Sequence, residues 1–122
     1  MGILPRPAIL LACLAAPLFT GCGDDDSPPA ADRPHTVVMT DYEFHPRELR
    51  VTRGTTLTVL NEGGIAHNLT VERGSERLAG TDSFLNGDSE RLRVDLPPGR
   101  YTMVCTVPGH ERLGMTGTLV VR

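Results

Sequence analysis

At 122 residues the chain has room for one domain and one core once a leader and a linker are set aside. Its formal net charge of -3, with 12 cationic side chains that are all arginine, offers no basic face and argues against nucleic acid as a partner. Aromatic residues make up only 4% of the chain and tryptophan is absent, so a core must be assembled from Val, Leu, Ile and Met.

Residues 1–21 carry one positive charge, Arg6, before an apolar run over 8–19. That run is shorter than the about 20 apolar residues a membrane span needs, and reads as an export signal. It ends in Leu18-Phe19-Thr20-Gly21-Cys22, which resembles the lipobox at which bacterial lipoproteins are cleaved and lipidated. Cys22 then becomes the first residue and the lipid anchor. Phe19 stands where leucine is most frequent in such motifs. A competing match at Leu10-Leu11-Ala12-Cys13 leaves almost no apolar segment before it, and an ordinary secretory signal with an incidental cysteine is the alternative. Residues 22–34, rich in Asp, Ser, Pro and Ala, cannot bury enough apolar surface to order themselves and read as a tether. The run Asp24-Asp25-Asp26 fits a solvated spacer better than a metal site. The folded domain is thereby expected at 35–122.

Beyond Pro34 the apolar pattern has period two, at Leu49 and Val51, Leu57 and Val59, Leu69 and Val71, then Leu92, Val94 and Leu96. Turn signals separate these half-buried strands at Arg53-Gly54, Asn61-Glu62-Gly63-Gly64, Asn86-Gly87-Asp88 and Pro97-Pro98-Gly99, spaced as an antiparallel sandwich or barrel requires. No segment has a helical stripe, and the fold class is all-β. Residues 73–89, rich in Gly, Ser and charge, fit either a loop or a single helical turn. Two strands close the chain, 100–105 and 116–121, and alternation puts Tyr101, Met103 and Cys105 on one face.

With Cys13 removed and Cys22 lipidated, the domain keeps one of the three cysteines, Cys105, and no internal disulfide is available. His110 and Met115 follow it at intervals of four intervening residues each. Singly, such residues are more often packing than ligands. Jointly, in this order between two strands, they carry a soft donor set. Thiolate and thioether favour copper, and two imidazoles, a thiolate and a weak axial Met form the set of blue electron-transfer copper. The second imidazole must come from elsewhere, and His67, after the turn at 62–66, is the natural donor. It is expected to open a strand over 68–72. Zinc is the rival metal, but thioether is a poor zinc ligand. His35 and His45 read as surface residues, His45 in an irregular stretch beside Pro46.

The stretch Tyr101-Thr-Met-Val-Cys105-Thr-Val-Pro-Gly-His110-Glu-Arg-Leu-Gly-Met115, followed by Gly117-Thr-Leu-Val-Val121, resembles the copper loop of the cupredoxins, the plastocyanin and azurin kind, with spacing closest to rusticyanin and auracyanin. Tyr42-Glu-Phe-His-Pro and His67-Asn68 add to the likeness, which runs over 36–122 and is weakest at 73–82. It implies a Greek-key β-sandwich, one copper ion, ligands His67, Cys105, His110 and Met115, and a hydrogen bond from Asn68 towards the Cys loop. It further implies that His110 presents a ring edge within an apolar patch, with Ile65, Pro108 and Leu113 as candidate neighbours, where a membrane-bound or soluble redox partner docks transiently. The expected protein is a monomeric one-electron carrier outside the cytoplasm, held to a bacterial membrane by its lipid. A copper carrier or storage protein is the alternative, but the chain lacks Met-rich and His-rich tracts. A copper enzyme would need a further centre and more histidines than His35 and His45 supply. A metal-free binding sandwich would leave the ligand set without a purpose.

Overall fold

The computed structural model describes residues 33–122, so the signal segment, Cys22 and most of the tether lie outside the described residues. Nine strands account for nearly all of the regular structure: β1 (Thr36–Thr40), β2 (Glu43–His45), β3 (Glu48–Val51), β4 (Thr55–Asn61), β5 (Thr70–Arg73), β6 (Glu76–Gly80), β7 (Ser89–Val94), β8 (Gly99–Val104) and β9 (Thr116–Val121). One sheet has the order β2-β1-β4-β7, and the other β3-β9-β8-β5-β6. The chain therefore crosses between sheets after β2, β3, β4, β6 and β7. Antiparallel pairings predominate, with parallel contacts where β1 meets β4 and β3 meets β9.

The alternation in the sequence explains which faces turn inward. In β4, Leu57, Val59 and Asn61 are buried while their neighbours are only partly covered. In β8, Tyr101 and Met103 are buried and Thr102 is exposed. Val37, Met39, Phe44, Leu57, Val59, Leu92 and Val94 from the first sheet join Val51, Val71, Tyr101, Met103, Leu119 and Val121 from the second in a single apolar cluster. Two sheets packed face to face over one such layer make a β-sandwich. Cys105 and Met115 belong to the same cluster, so the thiol enters the interior where β8 ends.

Three expectations need correction. Residues 73–89 hold a strand as well as a loop: β6 forms a hairpin with β5, with a register shift between Val71 and Glu72, and residues 81–88 are irregular. His45 is not in an irregular stretch but ends β2, paired with Val38 of β1. His67 does not open a continuous strand. It makes an isolated bridge with Phe84, and β5 begins only at Thr70. The Arg33 carbonyl accepts from the Thr36 N–H at 3.3 Å, and its guanidinium lies 3.7 Å from Glu62.

Candidate metal centre

Two connections at one end of the sandwich carry the chemistry: residues 62–69 between β4 and β5, and residues 105–115 between β8 and β9. The first is ordered from within. The Asn61 side chain is fully buried and donates to the carbonyls of Ile65 at 3.0 Å and Phe84 at 2.7 Å, while its oxygen accepts from the Gly63 N–H at 2.8 Å. A buried amide with all these partners satisfied fixes a turn at little net cost. His67 and Phe84 then exchange backbone hydrogen bonds of 3.3 and 3.0 Å, which locks the histidine to the segment before β7.

The second connection is held at its base by the Cys105 N–H donating to the Met115 carbonyl at 3.2 Å, and inside by the Met115 N–H donating to the His110 carbonyl at 3.2 Å. Residues Glu111–Leu113 make one 3-10 turn, ended by Gly114 at φ 96°, a left-handed conformation that favours glycine. Within ten residues the chain thus returns Met115 beside Cys105. Asn68 joins the two connections: its Nδ2 donates to Thr106 Oγ1 at 2.7 Å and its Oδ1 accepts from the Thr106 N–H at 2.8 Å.

The result is a convergence of donors. His67 Nδ1 lies 3.1 Å from His110 Nδ1, and Cys105 Sγ lies 3.5 Å from His110 Nδ1 and 4.0 Å from His67 Nδ1. His67, Cys105 and Met115 are fully buried and His110 is 7% exposed. The His67 Nε2 faces Asp41 Oδ1 at 3.0 Å. An ionised carboxylate can only accept, so Nε2 carries the proton, and in the neutral ring Nδ1 is a bare lone pair. Two imidazole nitrogens and a sulfur aimed at one dry point satisfy one another poorly, and a single soft cation between them satisfies all three. Burial, and secondarily the His67 ring, hold the His110 pKa below the ordinary 6.5 against the opposing pull of Asp41, which keeps that ring neutral and able to ligate. Asp41 is itself held below the ordinary carboxylate value, chiefly by its hydrogen bond with His67. The Tyr42 ring packs edge-on against His110, centroids 5.2 Å apart, and shields the pair from that side.

His35 is exposed and His45 is part-buried against Thr40 and Glu43, both away from the donor cluster. Ile65 is 42% and Leu113 61% exposed, and Pro108 is also exposed. The sequence reading missed Leu85, which is 65% exposed, and it missed Asp41, Tyr42, Asn61 and Thr106. Tyr42 stood inside a motif already singled out, and Asp41 immediately precedes it.

Residues 31–122 match the family of copper binding proteins of the plastocyanin/azurin type. The chain belongs to that family, the cupredoxins, and a copper ion is the cofactor its donor set fits. No curated protein sequence matches it. Among solved structures, the chain is similar to the dithionite-reduced auracyanin of the photosynthetic bacterium Roseiflexus castenholzii, with 23% identity over 71% of this chain and 94% of that one, and a TM-score of 0.62. An azurin of the methylotroph Methylomonas sp. strain J shares 19% identity over 75% of this chain and 99% of that one, with a TM-score of 0.63. A copper-containing nitrite reductase from Thermus scotoductus SA-01 shares 26% identity over 74% of this chain but only 22% of its own length, with a TM-score of 0.57.

Proposed function

We propose that this blue copper protein is a one-electron carrier that works outside the cytoplasm, anchored to a bacterial membrane through a lipid on Cys22. In this reading His67 Nδ1, Cys105 Sγ and His110 Nδ1 would hold the metal, with the buried Met115 thioether as a fourth, weaker donor. The observation that carries it is the convergence of three buried donors within 4.8 Å of one another, on two connections tied to a rigid sandwich. Copper bound there supplies reversible exchange between Cu(I) and Cu(II).

What the chain contributes is constancy. The Asn61 and Asn68 side chains, the His67–Phe84 bridge and the backbone bonds at Cys105 and Met115 hold the ligands in one arrangement, so little has to move between oxidation states. Burial excludes water from the thiolate. His110 retains 7% exposure and would be the route by which an electron reaches a docked protein, to which the exposed Ile65, Pro108 and Leu113 offer an apolar surface. The nitrite reductase likeness covers only 22% of that enzyme's length and so lends no support to an enzymatic role. The lipid on Cys22 would keep the carrier near membrane redox complexes, and Cys22→Ser would move it from the membrane to the soluble fraction.

The test is the visible absorption of residues 31–122 loaded with Cu(II), then reduced with ascorbate. An intense thiolate-to-copper band that bleaches and returns on reoxidation is the expected result. Folded protein without such a band overturns the reading in favour of a Cu(I) carrier.

A further inference from the structure

The Asp41 carboxylate is half exposed at 48%, yet it is held as firmly as an interior group. Asp41 lies in the turn between β1 and β2. Its Oδ1 accepts from the Gly64 N–H at 2.9 Å and from His67 Nε2 at 3.0 Å, a partner 26 residues away in sequence. Gly63 lies against this pair so closely that a Cβ there would stand 2.6 Å from Asp41 Oδ1 and 2.7 Å from His67 Nε2. The Gly63 carbonyl is pinned in turn by Asn86 Nδ2 at 2.6 Å. Three segments of the chain are thus shaped around a single carboxylate–imidazole contact, and a surface ion pair formed by chance would not require that.

The histidine so contacted is the one whose Nδ1 faces Cys105 and His110. We propose that Asp41 is the positioning residue of the copper centre: it holds His67 in the Nε2–H tautomer with Nδ1 turned inward, and its negative charge across the ring favours Cu(II) over Cu(I), which keeps the potential low. The inference rests on the copper reading. Its physical basis is general. A carboxylate accepting the far N–H of a ligating imidazole raises the basicity of the ring, and loss of such a partner typically changes metal affinity 10- to 100-fold. The added electron density is worth more to the doubly charged ion than to the singly charged one. Half exposure brings solvent screening, so the effect belongs at the low end of that range.

The experiment uses the full chain and two substitutions. Asp41→Asn preserves shape, and its amide oxygen still accepts from Nε2, but it carries no charge. Asp41→Ala removes both acceptor and charge. With Asp41→Asn, the ratio of Cu(II) to Cu(I) affinity is expected to fall about tenfold, which for one electron is a rise of about 59 mV in midpoint potential, with the thiolate-to-copper band retained. With Asp41→Ala the potential rises at least as far, and nitrogen NMR of the metal-free protein shows His67 leaving the pure Nε2–H form. Gly63→Ala, which forces the pair apart without altering Asp41, is expected to follow Asp41→Ala. An unchanged potential in both Asp41 variants overturns the electrostatic role, and an unchanged tautomer in Asp41→Ala overturns the positioning role. If the unsubstituted protein itself shows no thiolate-to-copper band, the copper reading is what fails, and the metal-free tautomer still decides whether Asp41 positions His67.

Discussion

Removing the Asn68 side chain tests whether the two ligand-bearing connections are held as one unit. Asn68 is 6% exposed and makes two hydrogen bonds to Thr106, of 2.7 and 2.8 Å. A typical intramolecular hydrogen bond contributes about 0.5–1.5 kcal/mol net, so Asn68→Ala costs about 2 kcal/mol, roughly a thirtyfold shift towards the unfolded state. In a domain of this size, that lowers the melting temperature by about 8–16 °C. Thermal and urea melts of the metal-free protein give the number without interference from metal binding. Thr106→Val removes only the hydroxyl and is expected to lose about half as much, because the Thr106 N–H still donates to Asn68. Copper-loaded Asn68→Ala should also show a broadened thiolate-to-copper band, since Cys105 immediately precedes the released residue. A melting temperature within about 2 °C of the unsubstituted protein would show that the clamp is idle and that the two connections are held by the core alone.

Leu113, 61% exposed within the candidate ligand loop, lies outside the donor cluster, so Leu113→Glu is expected to slow electron exchange with a partner protein while leaving the copper spectrum intact. Unchanged exchange rates in stopped flow remove Leu113 from the docking surface. Glu48 receives hydrogen bonds from Arg50 at 2.7 Å and Arg100 at 3.3 Å, and Arg50 first, then Arg100, holds its pKa below the ordinary 4.5. Its ionised form is favoured in the folded state, so its contribution is present above pH 4.5 and fades as pH falls through the lower folded-state value. Glu48→Gln should therefore melt slightly below the unsubstituted protein at pH 7, with the gap closing in acid. A gap independent of pH would refute that origin.

Much of the strand pattern was legible because burial on one face imposes a period of two. Leu57 and Val59, or Tyr101 and Met103, can alternate with Thr58 and Thr102 only if one side meets a core. Two of the four edge strands, β2 and β6, were not legible, whereas β3 and β7 alternate and were. Glu76, Arg77, Leu78, Ala79 and Gly80 lack that alternation, and β6 exists because the backbone of β5 offers it an antiparallel ladder beyond which there is only solvent. The three residues of β2 are held to β1 in the same way.

The donor set divides along the same line. Cys105, His110 and Met115 lie within one short loop, where local chain geometry confines them to a small volume whatever the rest of the fold does, so order and spacing alone brought them forward as candidates. His67 was reached from the sequence by its type and the turn before it, but its meeting with His110, 43 residues away, depends on how β4 and β5 cross between the sheets. Asp41 carried no local signal, and Thr106 none beyond its place after Cys105 in the loop towards which Asn68 was expected to reach. Their partners stand 26 and 38 residues away, and a carboxylate in a β-turn or a threonine after a strand looks the same in sequence whether or not a ring or an amide waits across the gap. Local spacing and alternation determine which residues can share a face or a loop; only the packing of two sheets decides which loops meet, because that choice is made by long-range burial rather than by the chain's own short-range geometry.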